Sequence, residues 1–332
     1  MTAHTRDVLV YGAGVSGLTT GIRLAERGHR VTVLAPETTQ TSSYAAGALW
    51  GPVLTTDERV LRWSGVTLAE LDRIRAEAGE FLSGIRQVTG VEAAKTPTDP
   101  PVYLNQLTDF AMLAPADLPE EYVCGWRYTA PMLDMPVYLR YLDDRLRKIG
   151  GRVEQRAVAS LRDFPPPWTV AVNCTGSAAK ELVPDADIEP VRGMLVVVEN
   201  PGIDEFFAAA VEHDVVDMTY LLPHGDRVVL GGLAEREVDR DPAEPRPSDE
   251  DIAQAIIDRC VAIEPKLAGA KVIDRRVGWR PTRSSIRLEC EDLGDRWLIH
   301  NYGHGGGGVS VSWGCADEVA TIVDRIARRP AG

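Results

Sequence analysis

Apolar and polar positions follow two different periods along the 332-residue chain. Val8–Tyr11 is a short unbroken apolar run, as in a strand buried on both faces. Val15–Arg27 repeats its apolar residues at helical spacing until Gly28. Arg30–Ala35 returns to strand character, so the chain opens with a βαβ unit of about 30 residues. Thr41–Pro52, small and polar and then aromatic, predicts a loop, and Asp57–Val88 predicts a mainly helical stretch. Pro136 opens a helix to Ile149, stopped by Gly150 and Gly151. Short strands are predicted at Arg152–Val158, Thr169–Asn173 and Met194–Glu199. Tyr220–Pro223 and Arg227–Leu230 form a hairpin around His224, Gly225 and Asp226. Ser248 and Asp251 match a capping box for a helix over Asp249–Ile263, with Asp where Glu or Gln is usual.

Helix–strand alternation is densest at the N-terminal end, around Pro136–Gly176 and at the C-terminal end. The pattern predicts an α/β cofactor domain built from discontinuous segments, 1–52, 137–190 and 285–330. A sheet-rich α+β substrate domain, 53–136 and 191–284, is inserted between them. Glu235–Asp251, charged and proline-rich, reads as a solvated connector. A hydrophobic share of 44% and a charged share of 26% are those of an ordinary soluble protein. The net charge of -13 argues against nucleic acid or an anionic membrane surface as partner. No apolar run approaches the ~20 residues of a membrane span. Met1–Asp7 lacks a signal-peptide pattern, so the cytoplasm is the expected location. Five dispersed cysteines without a Cys-x-x-Cys pair predict buried reduced thiols. His300 and His304 have no cysteine or carboxylate cluster beside them, and no metal is expected.

Chemistry concentrates in two glycine loops. Gly12, Ala13, Gly14, Val15, Ser16 and Gly17 follow the first strand and open the first helix, the context of a dinucleotide-binding loop. Gly12 permits the tight turn, Gly14 lets a pyrophosphate approach the backbone, and Gly17 lets helix pack on strand. Gly303–Gly308 precede the last helix pattern. Helix N-termini carry partial positive charge, so two such loops at opposite ends of a chain predict a large anionic cofactor held from both sides, as in a flavoprotein. The acidic residue expected on the ribose falls at Glu37, one place after Pro36. Thr175 and Gly176 end the strand near Val170 in a small-residue turn, either an ordinary strand end or a close pass under the cofactor. Gly278, Trp279, Arg280, Pro281, Thr282 and Arg283 place two arginines beside a stiffening proline. Guanidinium forks suit a carboxylate.

Taken in order, seven segments make the chain resemble the D-amino-acid oxidase family from about Val8 to Cys315. They are 11–18, 45–50, 172–176, 191–193, 220–223, 278–283 and 300–306. The resemblance implies non-covalent FAD and oxidation of D-amino acids by hydride transfer from Cα to flavin N5. Imino acids, then 2-oxo acids and ammonia, are the implied products, with oxygen reduced to hydrogen peroxide. It further implies Arg283 and Tyr220 on the substrate carboxylate and the Gly306 carbonyl on the α-amino group. Gly303, Gly305, Gly308, Val309 and Ser310 are implied around the flavin, and the Val158 backbone at adenine. Ala46 and Gly47 are implied along the cofactor, with Thr41, Ser42 and Ser43 near diphosphate and ribose.

The chain departs from the family pattern at two places. Val216 stands where a second active-site tyrosine is common, and Gly51 where a glutamine follows the loop tryptophan. Both imply a roomy pocket, lined also by Leu222. No extra cation is aimed at an acidic side chain, His213 reading as a surface histidine, so neutral and apolar D-amino acids are expected over D-aspartate. A D-aspartate oxidase, a glycine- or sarcosine-type amine oxidase and a non-enzymatic nucleotide-binding protein are the alternatives. Retention of Arg283, Tyr220 and the second glycine loop weighs against the last. The assembly state, homodimer included, stays open.

Overall fold

The computed structural model describes residues 5–36, 41–52, 59–210, 217–236 and 247–328. Their strands fall into two sheets. β1 (Asp7–Tyr11), β2 (Arg30–Ala35), β6 (Arg152–Gln155), β7 (Val170–Asn173), β13 (Arg287–Asp292) and β14 (Trp297–Tyr302) form the first, in the order β13-β14-β7-β1-β2-β6. All pairings in it are parallel except β13 with β14. The continuous apolar character of β1 and β7 follows from this: each is a central parallel strand with no wet face.

The second sheet has eight strands. In chain order they are β3 (Ile85–Ala94), β4 (Ala111–Leu113), β5 (Cys124–Leu133), β8 (Glu189–Glu199), β9 (Phe206–Ala209), β10 (Asp217–His224), β11 (Arg227–Leu233) and β12 (Val272–Thr282). Their spatial order is β12-β8-β11-β10-β9-β3-β5-β4, antiparallel throughout except β3 with β9. The helices are α1 (Val15–Glu26), α2 (Arg59–Ser83), α3 (Met135–Lys148), α4 (Ala179–Leu182), α5 (Asp249–Ile263) and α6 (Gly308–Ala327). α1, α2, α3 and α6 bury one core with the first sheet and β3/β5, including Ile22, Trp63, Leu142 and Trp313. α5 covers a second core on the other sheet.

The predicted βαβ opening, the β10/β11 hairpin and the capping box of α5 are present. The Ser248 hydroxyl accepts from the Asp251 N–H, and the Asp251 carboxylate accepts in return from the Ser248 N–H. The helix predicted over Asp57–Val88 stops at Ser83. Gly84 turns the chain with φ +69°, and Ile85–Ala94 pairs with β5 as a strand. β6 ends at Gln155, three residues short of the predicted Val158. The thiols are not all buried: Cys174, Cys260 and Cys315 are, Cys124 is half-buried and Cys290 is exposed. No helix among the described residues is long and apolar enough to cross a membrane.

Candidate active site

One cavity of about 700 Å³ runs from the top of the first sheet to a face of the second. At one end, β1 delivers the chain into the first glycine loop. Gly12 has φ +101°, and a Cβ there would stand 2.3 Å from the Cys174 carbonyl. A Cβ on Gly17 would stand 1.9 Å from the Gly12 carbonyl, so only glycine lets α1 begin this close to β1 and β7. Gly14, Val15 and Ser16 open onto the cavity, and Gly17 packs beneath them. The Val15 N–H donates to the Ser43 hydroxyl at 3.0 Å, which ties the 41–52 loop to the N-terminus of α1. Thr41, Ser42, Ser43, Ala46, Gly47, Val158, Thr175 and Gly176 complete this end.

At the other end, β14 leads into the second glycine loop, where Gly305, Gly306, Gly308, Val309 and Ser310 face the cavity. The Gly305 N–H donates to the Pro281 carbonyl at 2.9 Å and docks the loop on the end of β12. The Ser310 hydroxyl donates to the Gly51 carbonyl (3.1 Å) and accepts from the Gly51 N–H (3.0 Å). Hydroxyls of Ser42 and Ser177 both donate to the Trp279 carbonyl, at 2.5 and 2.7 Å, so the 41–52 loop, the turn after β7 and β12 share one anchor. His304 lies buried in the loop, hydrogen-bonded through Nε2 to Asn301 Oδ1 at 3.1 Å. Burial pushes its imidazole down to about 4, so it is neutral under ordinary conditions.

The two arginines of 278–283 go to different places. β12 alternates half-buried and exposed residues, and Arg276, Gly278 and Arg280 share the inward face. Arg280 reaches the cavity, where its Nη1 donates to the Leu233 carbonyl at 2.8 Å, and Gly193 opposite leaves room for it. A Cβ there would stand 2.7 Å from Nη1. Arg280 has no carboxylate partner among the described residues. Arg283 does not line the cavity. Beyond the end of β12, its Nε pairs with Asp185 at 3.1 Å and its Nη1 with Asp187 at 3.6 Å. Gly303 also lies off the cavity, packed against the Arg283 stem at 2.9 Å from a built Cβ.

Tyr220 stands beside Arg280, its ring over Gly231, where a Cβ would fall 1.8 Å from the ring. Burial pushes its phenol up, Arg280 pulls it down, and the net lies above the ordinary value. Leu222 lines the same wall. Glu37, Val216 and His213 lie outside the described residues.

Several lining residues escaped the sequence reading, among them Tyr103, Tyr128 and Glu92. Glu92 on β3 is 5% exposed and faces the cavity. Its Oε2 accepts from the Tyr103 hydroxyl at 2.8 Å and the Tyr128 hydroxyl at 2.9 Å. The sequence pattern puts residues 85–88 in a helix and 89–94 in no element, so the strand that carries Glu92 goes unread.

A family model described as FAD dependent oxidoreductase matches residues 7–322. The chain belongs to this family. FAD is therefore the cofactor of this oxidoreductase, and the cavity has the features that such a group needs. Both helix N-termini open onto the cavity, and a Cβ on Gly14 would stand 3.1 Å from the Ser43 hydroxyl within the cradle. A D-amino-acid oxidase of Rubrobacter xylanophilus is 41% identical over 318 residues, 95% of this chain and 94% of the relative. A D-amino-acid oxidase of Streptomyces coelicolor is 42% identical over 324 residues, 95% of this chain and 96% of the relative. The glycine oxidase structure from Geobacillus kaustophilus shares the fold at a TM-score of 0.77 and 19% identity, covering 97% of this chain and 95% of that one.

Proposed function

We propose that this oxidoreductase deaminates D-amino acids to 2-oxo acids and ammonia, with oxygen as final acceptor and hydrogen peroxide as by-product. The observation that carries the substrate reading is Arg280, a permanent cation in the cavity with no carboxylate partner among the described residues. An unpaired guanidinium in a partly dry site is costly until an anion arrives, and its planar fork takes a carboxylate in two hydrogen bonds. The carboxylate clamp is therefore assigned to Arg280 in place of Arg283, whose charge is already answered by Asp185 and Asp187. Tyr220, kept protonated by burial, donates its hydroxyl to the same carboxylate. The Gly306 carbonyl accepts from the α-amino group.

FAD, when bound, supplies the acceptor for the hydride that leaves Cα. The protein's share is orientation: two handles fix Cα, and no strong base is required there. The positive end of α1 would meet the diphosphate, and that of α6, beginning at Gly308, would stabilise negative charge on the flavin's pyrimidine edge. Binding is non-covalent. Cys174 is the one cysteine among the described lining residues, and burial pushes its thiol up to about 12, where it stays protonated and unreactive.

Leu49, Leu222 and Ala208 make the side-chain walls largely apolar, and Arg280 is the one permanent cation among the described lining residues. With the clamp so occupied, no second cation meets an acidic side chain, which favours neutral D-amino acids over D-aspartate. The deciding experiment is peroxide release in air from FAD-loaded protein given matched D- and L-amino acids, glycine and sarcosine. Peroxide from D-alanine, D-methionine or D-valine and not from their L-forms is the expected result. Silence on every D-substrate overturns the reading.

A further inference from the structure

Glu92 has no cationic neighbour among the described residues, yet it is almost wholly buried. Its Oε2 carries both tyrosine hydroxyls, and Oε1 has no partner among the described residues. Taking a carboxyl out of water without a counter-charge is unfavourable, so a fold that retains one on a cavity wall leaves an unmet electrostatic demand. Burial pushes the carboxyl above the ordinary carboxylate value and the two phenol hydrogen bonds only partly oppose it, so the charged form is favoured once a cation reaches the free oxygen.

Sheet register fixes where that demand points. Glu92 pairs with Ala208 across β3/β9, and Ala208 pairs with Tyr220 across β9/β10. Directly paired residues share a face, and all three line the cavity. Two interstrand steps put the Glu92 and Tyr220 backbones about 10 Å apart. Between them Ala208 offers only a methyl group, so the row is open in its middle and armed at both ends. Gly51 opens the same end. A Cβ there would lie 3.4 Å from the Tyr103 hydroxyl, so the absent side chain leaves the Tyr103–Glu92 pair uncovered.

We propose that Glu92 is a specificity-determining residue: its unpartnered oxygen receives the cationic end of a long D-amino acid side chain, such as D-lysine or D-arginine. This rests on the D-amino-acid reading above, with the substrate carboxylate at Arg280 and Tyr220. Ala208 lies under the side chain's methylenes. Short neutral substrates leave Glu92 unused, and acidic side chains find no counter-charge there.

D-lysine and D-norleucine test this, because they share a carbon chain and differ in the terminal ammonium. With FAD-loaded wild-type protein at neutral pH, kcat/KM for D-lysine should exceed that for D-norleucine by about tenfold or more. Glu92→Gln should cut that ratio on the order of 100-fold, the scale of removing one partner of a buried charge pair. If Glu92→Gln does not hold FAD, Gly51→Gln supplies the second variant. It covers the carboxyl without removing it, and should lower the same ratio. A wild-type ratio at or below one, or a ratio that neither variant moves, overturns the proposal and leaves the oxidase reading standing. Absence of peroxide from any D-amino acid removes both.

Discussion

Arg280 and Arg283 lie three residues apart and have opposite fates, decided by what each faces. Arg280→Ala should lose about 3 kcal/mol of transition-state binding, more than 100-fold in kcat/KM, as when one member of a dry charge pair is removed. Arg283→Ala should leave kcat/KM within about threefold, because its partners are Asp185 and Asp187. Steady-state kinetics on D-alanine with both variants checks this; the reverse ranking returns the clamp to Arg283. The choice was legible in principle. Gly278 and Arg280 fall on one face of a period-two pattern, and Arg283 follows the strand's last residue, Thr282. Glu92 was not legible, since a carboxylate on a β-strand is normally solvent-facing and only the tertiary fold buries it.

At the scale of elements, the first glycine loop was readable because strand, glycines and helix are contiguous in sequence, each enforcing the next. Gly12→Ala should abolish FAD retention on gel filtration, since its Cβ would collide with the Cys174 carbonyl at a positive φ. The capping box of α5 was readable for the same local reason. Ser248→Ala should lower stability by about 1 kcal/mol in a urea titration, with no change in FAD affinity, because α5 covers the second core rather than the cavity. The boundary between α2 and β3 was missed. The residues there satisfy helical spacing locally, and Gly84 with the pairing to β5 decides the switch. Long-range pairing of that kind leaves no local mark.

For the whole molecule, cofactor and pH both couple to folding. FAD held at 100 times its Kd should add about 2.7 kcal/mol of stability. A thermal scan should show a rise of several degrees, and acid precipitation should leave the flavin in the supernatant. Burial pushes the Asp185 carboxyl up, but hydrogen bonds from Tyr302, the Asp187 backbone and Arg283 outweigh it and hold it below the usual carboxylate range. A depressed acid contributes stability above its unfolded pKa of about 4, and that contribution is lost as pH falls through the folded value. The urea midpoint should therefore drop below about pH 4, and Asp185→Asn should flatten that part of the curve.

The anchoring of the second glycine loop also bears on how the protein is made. The cradle proposed for FAD joins α1 to α6, and β14 completes the first sheet between β7 and β13. A nascent chain still tethered to the ribosome before Trp297–Ala327 has emerged holds only half a cradle. A chain that stops short of α6 should therefore retain no flavin on gel filtration.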